Sequence, residues 1–208
     1  MTAIVLAAGL SRRMGAENKL FLPFGKQTLL ETTLSHIEAA GIGEILVVVG
    51  HEKEQVYALL KNKPYNIIEN PGYLEGMTSS IRAAVAETRP DTTGFMICLS
   101  DMPLISAGEY RLLAETFTAA LKTDAAAIVQ PRYQGRPGNP VLFSARYRND
   151  LLALEYPEGA KPIVQAHRDH LVLVDMPSDA VLLDADTQEA YQVLLDHLIY
   201  NKALGIWP

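Results

Sequence analysis

The chain has 208 residues, 49% hydrophobic and 20% charged, with a formal net charge of -6. That length suits one large α/β domain with a substantial core, and the composition excludes a disordered chain. The acidic balance argues against general nucleic-acid binding, and no apolar run approaches the ~20 residues that span a bilayer.

The run AIVLAA (3–8), closed by Gly9, predicts a strand buried on both faces. TLLETTLSHIEAAG (28–41) has apolar residues at helical spacing, with Gly41 as its stop. EILVVVG (44–50) reads as a second buried strand, EKEQVYALLKN (52–62) as a helix and YNIIEN (65–70) as a third strand. GMTSSIRAAVAET (76–88) predicts a helix ending before Pro90, and GFMICLS (94–100) a fourth strand. SAGEYRLLAETFTAALKT (106–123) predicts a helix in which Ser106 and Glu109 stand at capping-box spacing. DAAAIVQP (124–131) contains a fifth strand. Beyond residue 130 the rhythm changes: PRYQGRPGNPVLFS (131–144) reads as a loop feeding a strand at VLF. HLVLVDMP (170–177) reads as a late strand at an edge, and TQEAYQVLLDHLIYNKAL (187–204) as a closing helix.

Strands alternating with helices over short connections imply a mostly parallel sheet covered by helices, a three-layer α/β/α arrangement. No repeat or linker interrupts it, so one domain over residues 1–208 is expected. The single cysteine, Cys98, lies in an apolar run and supports neither a disulfide framework nor a Cys-based metal site. With a start that has no basic n-region, this predicts a cytoplasmic protein.

In open parallel sheets ligands bind beyond the carboxyl ends of the strands. The loops after strands one, three and four, GLSRRMGAENK, NPGYLEGM and SDMP, are the polar, Gly-rich or acidic ones. Up to Lys26 the chain carries four Lys or Arg residues against one acid, Glu17. Gly9 and Gly15 permit a tight backbone whose N–H groups can point at phosphate oxygens, with Arg12, Arg13 and Lys19 adding charge. A polyanion is the natural ligand, although an ordinary exposed loop has the same composition. The spacing matches neither the Walker loop nor the dinucleotide G-x-G-x-x-G, which disfavours a nicotinamide-dependent oxidoreductase.

Asp101, at the end of the fourth strand, is placed to hold Mg²⁺, which takes one or two carboxylates plus substrate phosphates. The alternative is a residue that merely starts a turn. Asp186 and Asp184 are candidates for a second ligand, and Asp186 could instead cap the last helix. Between Ala125 and Asn149 there is no acid, while Arg132, Arg136, Arg146 and Arg148 fall there. Arginine suits phosphate, and Gly138, Asn139 and Pro140 follow Arg136, where glycine lets backbone approach a ligand. Ser79 and Ser80 serve either as caps or as ligand contacts. The five histidines show no zinc spacing.

LAAGLSRRMGAENKLFLPFG resembles the L-A-A-G-x-S-x-R-M-G-x-x-K signature of the molybdenum cofactor nucleotidyltransferases, the MobA-like type. NPGYLEGMTSSIRAAV, LSDMPLIS, GRPGNPVLF and LDADTQEAY resemble that family's later segments in the same order. Where the family has Gly-Asp, Tyr156 and Pro157 stand; Gln188 and Ala190 replace a Pro and an Asp. The resemblance is closest to the molybdopterin cytidylyltransferase branch. It implies a Rossmann-like nucleotidyltransferase fold of the glycosyltransferase-A-like kind. It also implies a nucleotide site over Leu6, Ala7, Ala8, Gly9, Leu10, Ser11, Arg12, Lys19, Gly76, Ser79 and Ser80. Arg12, Lys19 and Asp101 would be catalytic, with Asp101 and Asp186 on Mg²⁺. Arg136, Gly138, Asn139 and Pro140 would face the acceptor.

The implied reaction moves CMP from CTP onto the phosphate of molybdopterin and releases pyrophosphate. Such an acceptor is already largely anionic at pH 7, since its second pKa is ~6, so no general base is required. Two alternatives accompany this reading: a non-catalytic maturation protein partnered with a molybdenum hydroxylase, and a sugar-phosphate nucleotidyltransferase.

Overall fold

The computed structural model describes residues 1–14, 18–155, 159–203 and 205, the side chain of Arg12 excepted. The expected roles of Gly15 and of the Tyr156–Pro157 replacement therefore lie outside the described residues. In chain order come β1 (Thr2–Ala7), β2 (Pro23–Phe24), β3 (Gln27–Thr28), α1 (Leu29–Ala39), β4 (Glu44–Val49) and α2 (Lys53–Leu60). There follow β5 (Asn66–Glu69), α3 (Met77–Glu87), β6 (Gly94–Leu99), α4 (Ala107–Ala120), β7 (Ile128–Tyr133) and β8 (Arg136–Pro137). The chain closes with β9 (Val141–Ser144), α5 (Arg148–Leu152), α6 (Lys161–Ala166), β10 (Leu171–Asp175) and α7 (Gln188–Ala203).

Among the described residues the main sheet runs β10-β7-β9-β6-β1-β4-β5, with β8 paired on β7. β6, β1, β4 and β5 are parallel neighbours, β10 is parallel to β7, and β9 is antiparallel to both strands beside it. Alternation along β1 sends its side chains into two cores. Ala3, Val5 and Ala7 pack on the side of α1, α4 and α7, with Leu34, Phe117 and Leu194. Ile4 packs on the other side with Ile81 and Val85 of α3, Leu151 of α5 and Ile163 of α6. Two buried faces explain why the central strands are continuously apolar, and truncating fully buried Ile4 to Ala would cost ~2–5 kcal/mol. The observed layers are those expected from the sequence, and β10 lies at the sheet edge as read.

The caps decide where helices begin. Thr28 and Glu31 form a capping box on α1, and Ser106 and Glu109 form the expected one on α4. At α7 the Thr187 hydroxyl accepts the N–H of Ala190 at 3.1 Å. The cap is thus Thr187, and the Asp186 carboxylate points to the cleft described below.

Two readings change. The segment read as a loop from residue 131 is a hairpin: β7 continues to Tyr133 and turns at Gln134 and Gly135, with φ of 48° and 79°, into β8. Two successive positive φ values suit a tight hairpin turn. The helices α5 and α6 were not anticipated. They have five and six residues, too few for a helical period to show, and exist because Leu151 and Ile163 are buried against the sheet.

Candidate active site

The carboxyl ends of β1 and β6, the start of α3 and the segment before α7 enclose a cleft of about 410 Å³. The loop after β1 is held by its own polar side chains. Ser11 has φ 48°, and its hydroxyl donates to Asn18 Oδ1 at 3.2 Å while accepting the Lys19 N–H at 3.3 Å. Asn18 Oδ1 also accepts the Leu20 N–H at 3.1 Å, and its Nδ2 donates to Glu52 at 2.8 Å. These bonds fix the backbone at Lys19 and aim its side chain across the cleft. On another side, Tyr73 packs over Gly50: a Cβ there would lie 2.5 Å from Tyr73 Cβ and 3.0 Å from Ala8 Cβ.

Opposite the loop, the Ser100 hydroxyl donates to the Leu6 carbonyl at 2.6 Å, tying the end of β6 to β1. The Ala185 N–H donates to the Asp101 carbonyl at 3.2 Å, which seats the 184–186 segment beside Asp101. Carboxylate oxygens of Asp101, Asp184 and Asp186 all lie within 4.8 Å of one another. The Lys19 ammonium donates to Asp101 and, at 2.6 Å, to Asp186, whose other oxygen accepts from Arg13 at 2.6 Å.

The charges are unevenly matched. Burial pulls the Lys19 pKa down, but the Asp101 and Asp186 carboxylates outweigh it and hold the ammonium above its ordinary value. Burial pushes Asp186 up, yet Lys19 and Arg13 leave it lowered. Asp184 is raised by burial first, then by the neighbouring charges of Asp101 and Asp186, with Lys19 offsetting only part. A third carboxylate whose charge is disfavoured, in a cluster of hard oxygen donors, fits a divalent cation.

A second cavity of about 760 Å³ lies beside the first and shares Met77 and Leu99 with it. Ile81, Ile97, Val141, Phe143, Leu171 and Leu173 give it apolar walls, and Gln130, Asn139, Gln165, Arg132, Lys161 and Arg168 are its polar groups. Arg132 is held in a two-pronged pair with Asp175 at 2.7 and 2.8 Å.

Of the residues singled out from the sequence, Leu6, Ala8, Gly9, Leu10, Ser11, Lys19, Gly76, Ser80, Asp101 and Asp186 line the first cleft. Ala7 alternates into the core and is buried. Ser79 is also buried: its hydroxyl accepts from Asn70 Nδ2 at 2.8 Å and reaches the carbonyls of Gly72 and Gly76, each at 2.9 Å. It shapes the turn; Ser80 is as deeply buried, accepts from the same Asn70 Nδ2 at 3.0 Å and borders the cleft. Gly138 and Asn139 line the second cavity; Arg136, exposed on the hairpin, and Pro140, buried, do not. Gly138 is required by protein rather than ligand, since a Cβ there would lie 2.3 Å from the Val181 carbonyl oxygen. The side chain of Arg12 lies outside the described residues.

Arg13, expected to add charge to the loop, lines the first cleft; Tyr73, Met77, Lys161 and Arg168 were not foreseen in this role. Asp184, a candidate second ligand from the sequence, stands in the cluster together with Asp186, because alternate residues of an extended segment share a face and D-x-D offers both carboxylates together.

An α/β sheet whose first strand ends in a polar loop carrying a lysine, set against a carboxylate cluster, is the arrangement of an α/β protein that binds a phosphorylated ligand with a divalent cation at the carboxyl ends of its strands. The chain belongs to the MobA-like NTP transferase domain family, whose model matches residues 3–171, and it is a nucleotidyltransferase. It is 27% identical to a molybdenum cofactor cytidylyltransferase of Escherichia coli, over 90% of this chain and 92% of that one. It is also 27% identical to a nicotine blue oxidoreductase of Paenarthrobacter nicotinovorans, over 94% and 96% of the two chains. The structure of Rv0371c from Mycobacterium tuberculosis superposes with a TM-score of 0.79 at 29% identity, covering 94% of this chain and 97% of that one. A further structure of Rv0371c, in complex with manganese, matches with a TM-score of 0.76 at 27% identity, over 94% and 97%.

Proposed function

We propose that this enzyme transfers CMP from CTP to the phosphate of a molybdopterin-type acceptor and releases pyrophosphate, with Mg²⁺ as the metal. The observation that carries the reading is Lys19, bonded to Asp101 and Asp186 at the mouth of the loop after β1. The E. coli relative's name and the manganese complex of Rv0371c support the acceptor class and the divalent ion.

In this reading the backbone from Ala8 to Ser11 and the Ser80 hydroxyl hold the nucleoside and phosphates, and Ala8 narrows the space beside the base. Asp101, Asp184 and Asp186 would hold the metal, which neutralises phosphate charge when bound. Lys19 then faces the leaving pyrophosphate. The acceptor lies in the second cavity, its ring system against Leu171 and Leu173, and its phosphate comes within reach of Lys161 and Arg168 on its way to the nucleotide. Catalysis is by positioning and charge, with no protein base.

The test is a panel of CTP, GTP, ATP and UTP with molybdopterin and Mg²⁺, read by pyrophosphate release and dinucleotide formation. CTP-dependent dinucleotide is expected. Release only with a sugar phosphate would move the acceptor to another class. Nucleotide binding without release would favour a maturation protein. Oxidation–reduction activity without release would side with the Paenarthrobacter relative.

A further inference from the structure

We propose that Met77, backed by Leu99, is the gate between the two cavities: the acceptor phosphate passes it to reach the nucleotide, and its apolar bulk keeps water from the same phosphorus until then. The inference rests on the nucleotidyl-transfer reading and adds to it how transfer is favoured over hydrolysis. Among the described residues, Met77 and Leu99 are the two common to both cavities, so the route between them runs along these side chains.

Their places in the fold suit this. Leu99 ends β6 two residues before Asp101, so the shared wall adjoins the carboxylate cluster. Met77 is the first residue of α3, directly after Gly76 at φ 91°. It is 47% exposed, which leaves its side chain room to swing. The chain leading into α6 sits on the same spot: the Gly159 N–H donates to the Thr78 hydroxyl at 3.1 Å, and a Cβ on Gly159 would meet Met77 Sδ at 3.3 Å. Because α6 supplies Lys161, Val164 and Gln165 to the second cavity, whatever fills that cavity borders the segment resting on Met77.

The chemistry needs such a gate. In transfer, an acceptor phosphate oxygen bonds to the α-phosphorus as the bond to the α,β-bridging oxygen breaks, and pyrophosphate leaves with the electron pair. Water can form the same bond, giving nucleoside monophosphate, pyrophosphate and a released proton. An apolar wall excludes water where a polar one would hold it. Methionine is unbranched and has three rotatable bonds, so it can fill the passage and still yield to a ligand.

The experiment compares wild type, Met77→Ala and Met77→Leu, measuring acceptor-independent monophosphate formation and acceptor-dependent dinucleotide formation, with folding checked by thermal melting. In Met77→Ala the ratio of hydrolysis to transfer should rise by about 10–100-fold, the range expected when a reacting group is misplaced by about an ångström. Met77→Leu, of similar volume, should restore the wild-type ratio. An unchanged ratio in folded Met77→Ala overturns the gate while leaving the transfer reading intact. A ratio that rises equally in both variants overturns it too, because then bulk does not matter. A wild type that neither transfers nor hydrolyses any nucleoside triphosphate sinks the transfer reading, and the gate with it.

Discussion

Gly138→Ala separates two explanations of one glycine. A β-carbon at this position would sit 2.3 Å from the Val181 carbonyl oxygen and 2.9 Å from its carbon, where real contacts begin near 3.0 Å. The obstacle is backbone, so one side of the contact must retreat by roughly 1 Å. Overpacking of this kind costs ~1–3 kcal/mol, and the bond from Asn139 N–H to the same oxygen, 3.0 Å long, adds ~0.5–1.5 kcal/mol if it breaks. The sum is about 1.5–4.5 kcal/mol, or a fall in Tm of about 3–18 °C for a chain of this size. Val181 lies three residues before Asp184, so the retreat also shifts the carboxylates. Urea unfolding and a Mn²⁺ titration should both register the change. Stability within about 0.5 kcal/mol of wild type, with Mn²⁺ affinity intact and only the acceptor KM raised, would refute the argument and return Gly138 to a ligand-facing role.

Lys19→Ala and Asp101→Ala should each lower transfer by about 10²–10³-fold in protein that melts cooperatively; near-normal turnover in either removes that residue from the chemistry. Asp184→Asn should raise the Tm of the metal-free protein, because the carboxylate is held above its ordinary pKa by burial and by Asp101 and Asp186, while Mn²⁺ affinity falls. A lower Tm together with unchanged Mn²⁺ binding would contradict this. His36, whose ring Nδ1 lies 2.8 Å from the Ile105 carbonyl, is held below its ordinary 6.5 by burial, against the pull of the Ile105 and Pro103 carbonyls. Just below pH 6.5 the unfolded chain then binds more protons than the folded one, so stability is full above that pH and falls as pH drops through the lower folded-state value. His36→Gln should flatten that decline in urea unfolding followed across pH; an equally steep decline would locate it elsewhere.

The central strands and long helices were legible because each carries its own signal: a run of Val, Ile and Leu for a doubly buried strand, a 3.6-residue period and a Ser–Glu box for a helix. The loop after β1 and Asp101 were legible for the same reason, since their chemistry stands out against an acidic chain and a strand end. The elements that escaped notice lack a local signal. α5 and α6 are held by single buried residues against the sheet, and the β7–β8 hairpin was hidden by Pro and Gly.

Sequence alone determined a mostly parallel α/β sheet, a cationic loop after its first strand and an aspartate at the end of its fourth, because backbone period and side-chain charge are local properties. Tertiary structure alone decided which distant groups meet. The Ala185-to-Asp101 hydrogen bond gathers three carboxylates, and Lys19 bridges two of them from the far side of the cleft. Gly138 serves a neighbouring carbonyl, and Met77 stands between two cavities. Contacts between residues dozens of positions apart arise only when the chain packs, and no window of sequence contains both partners.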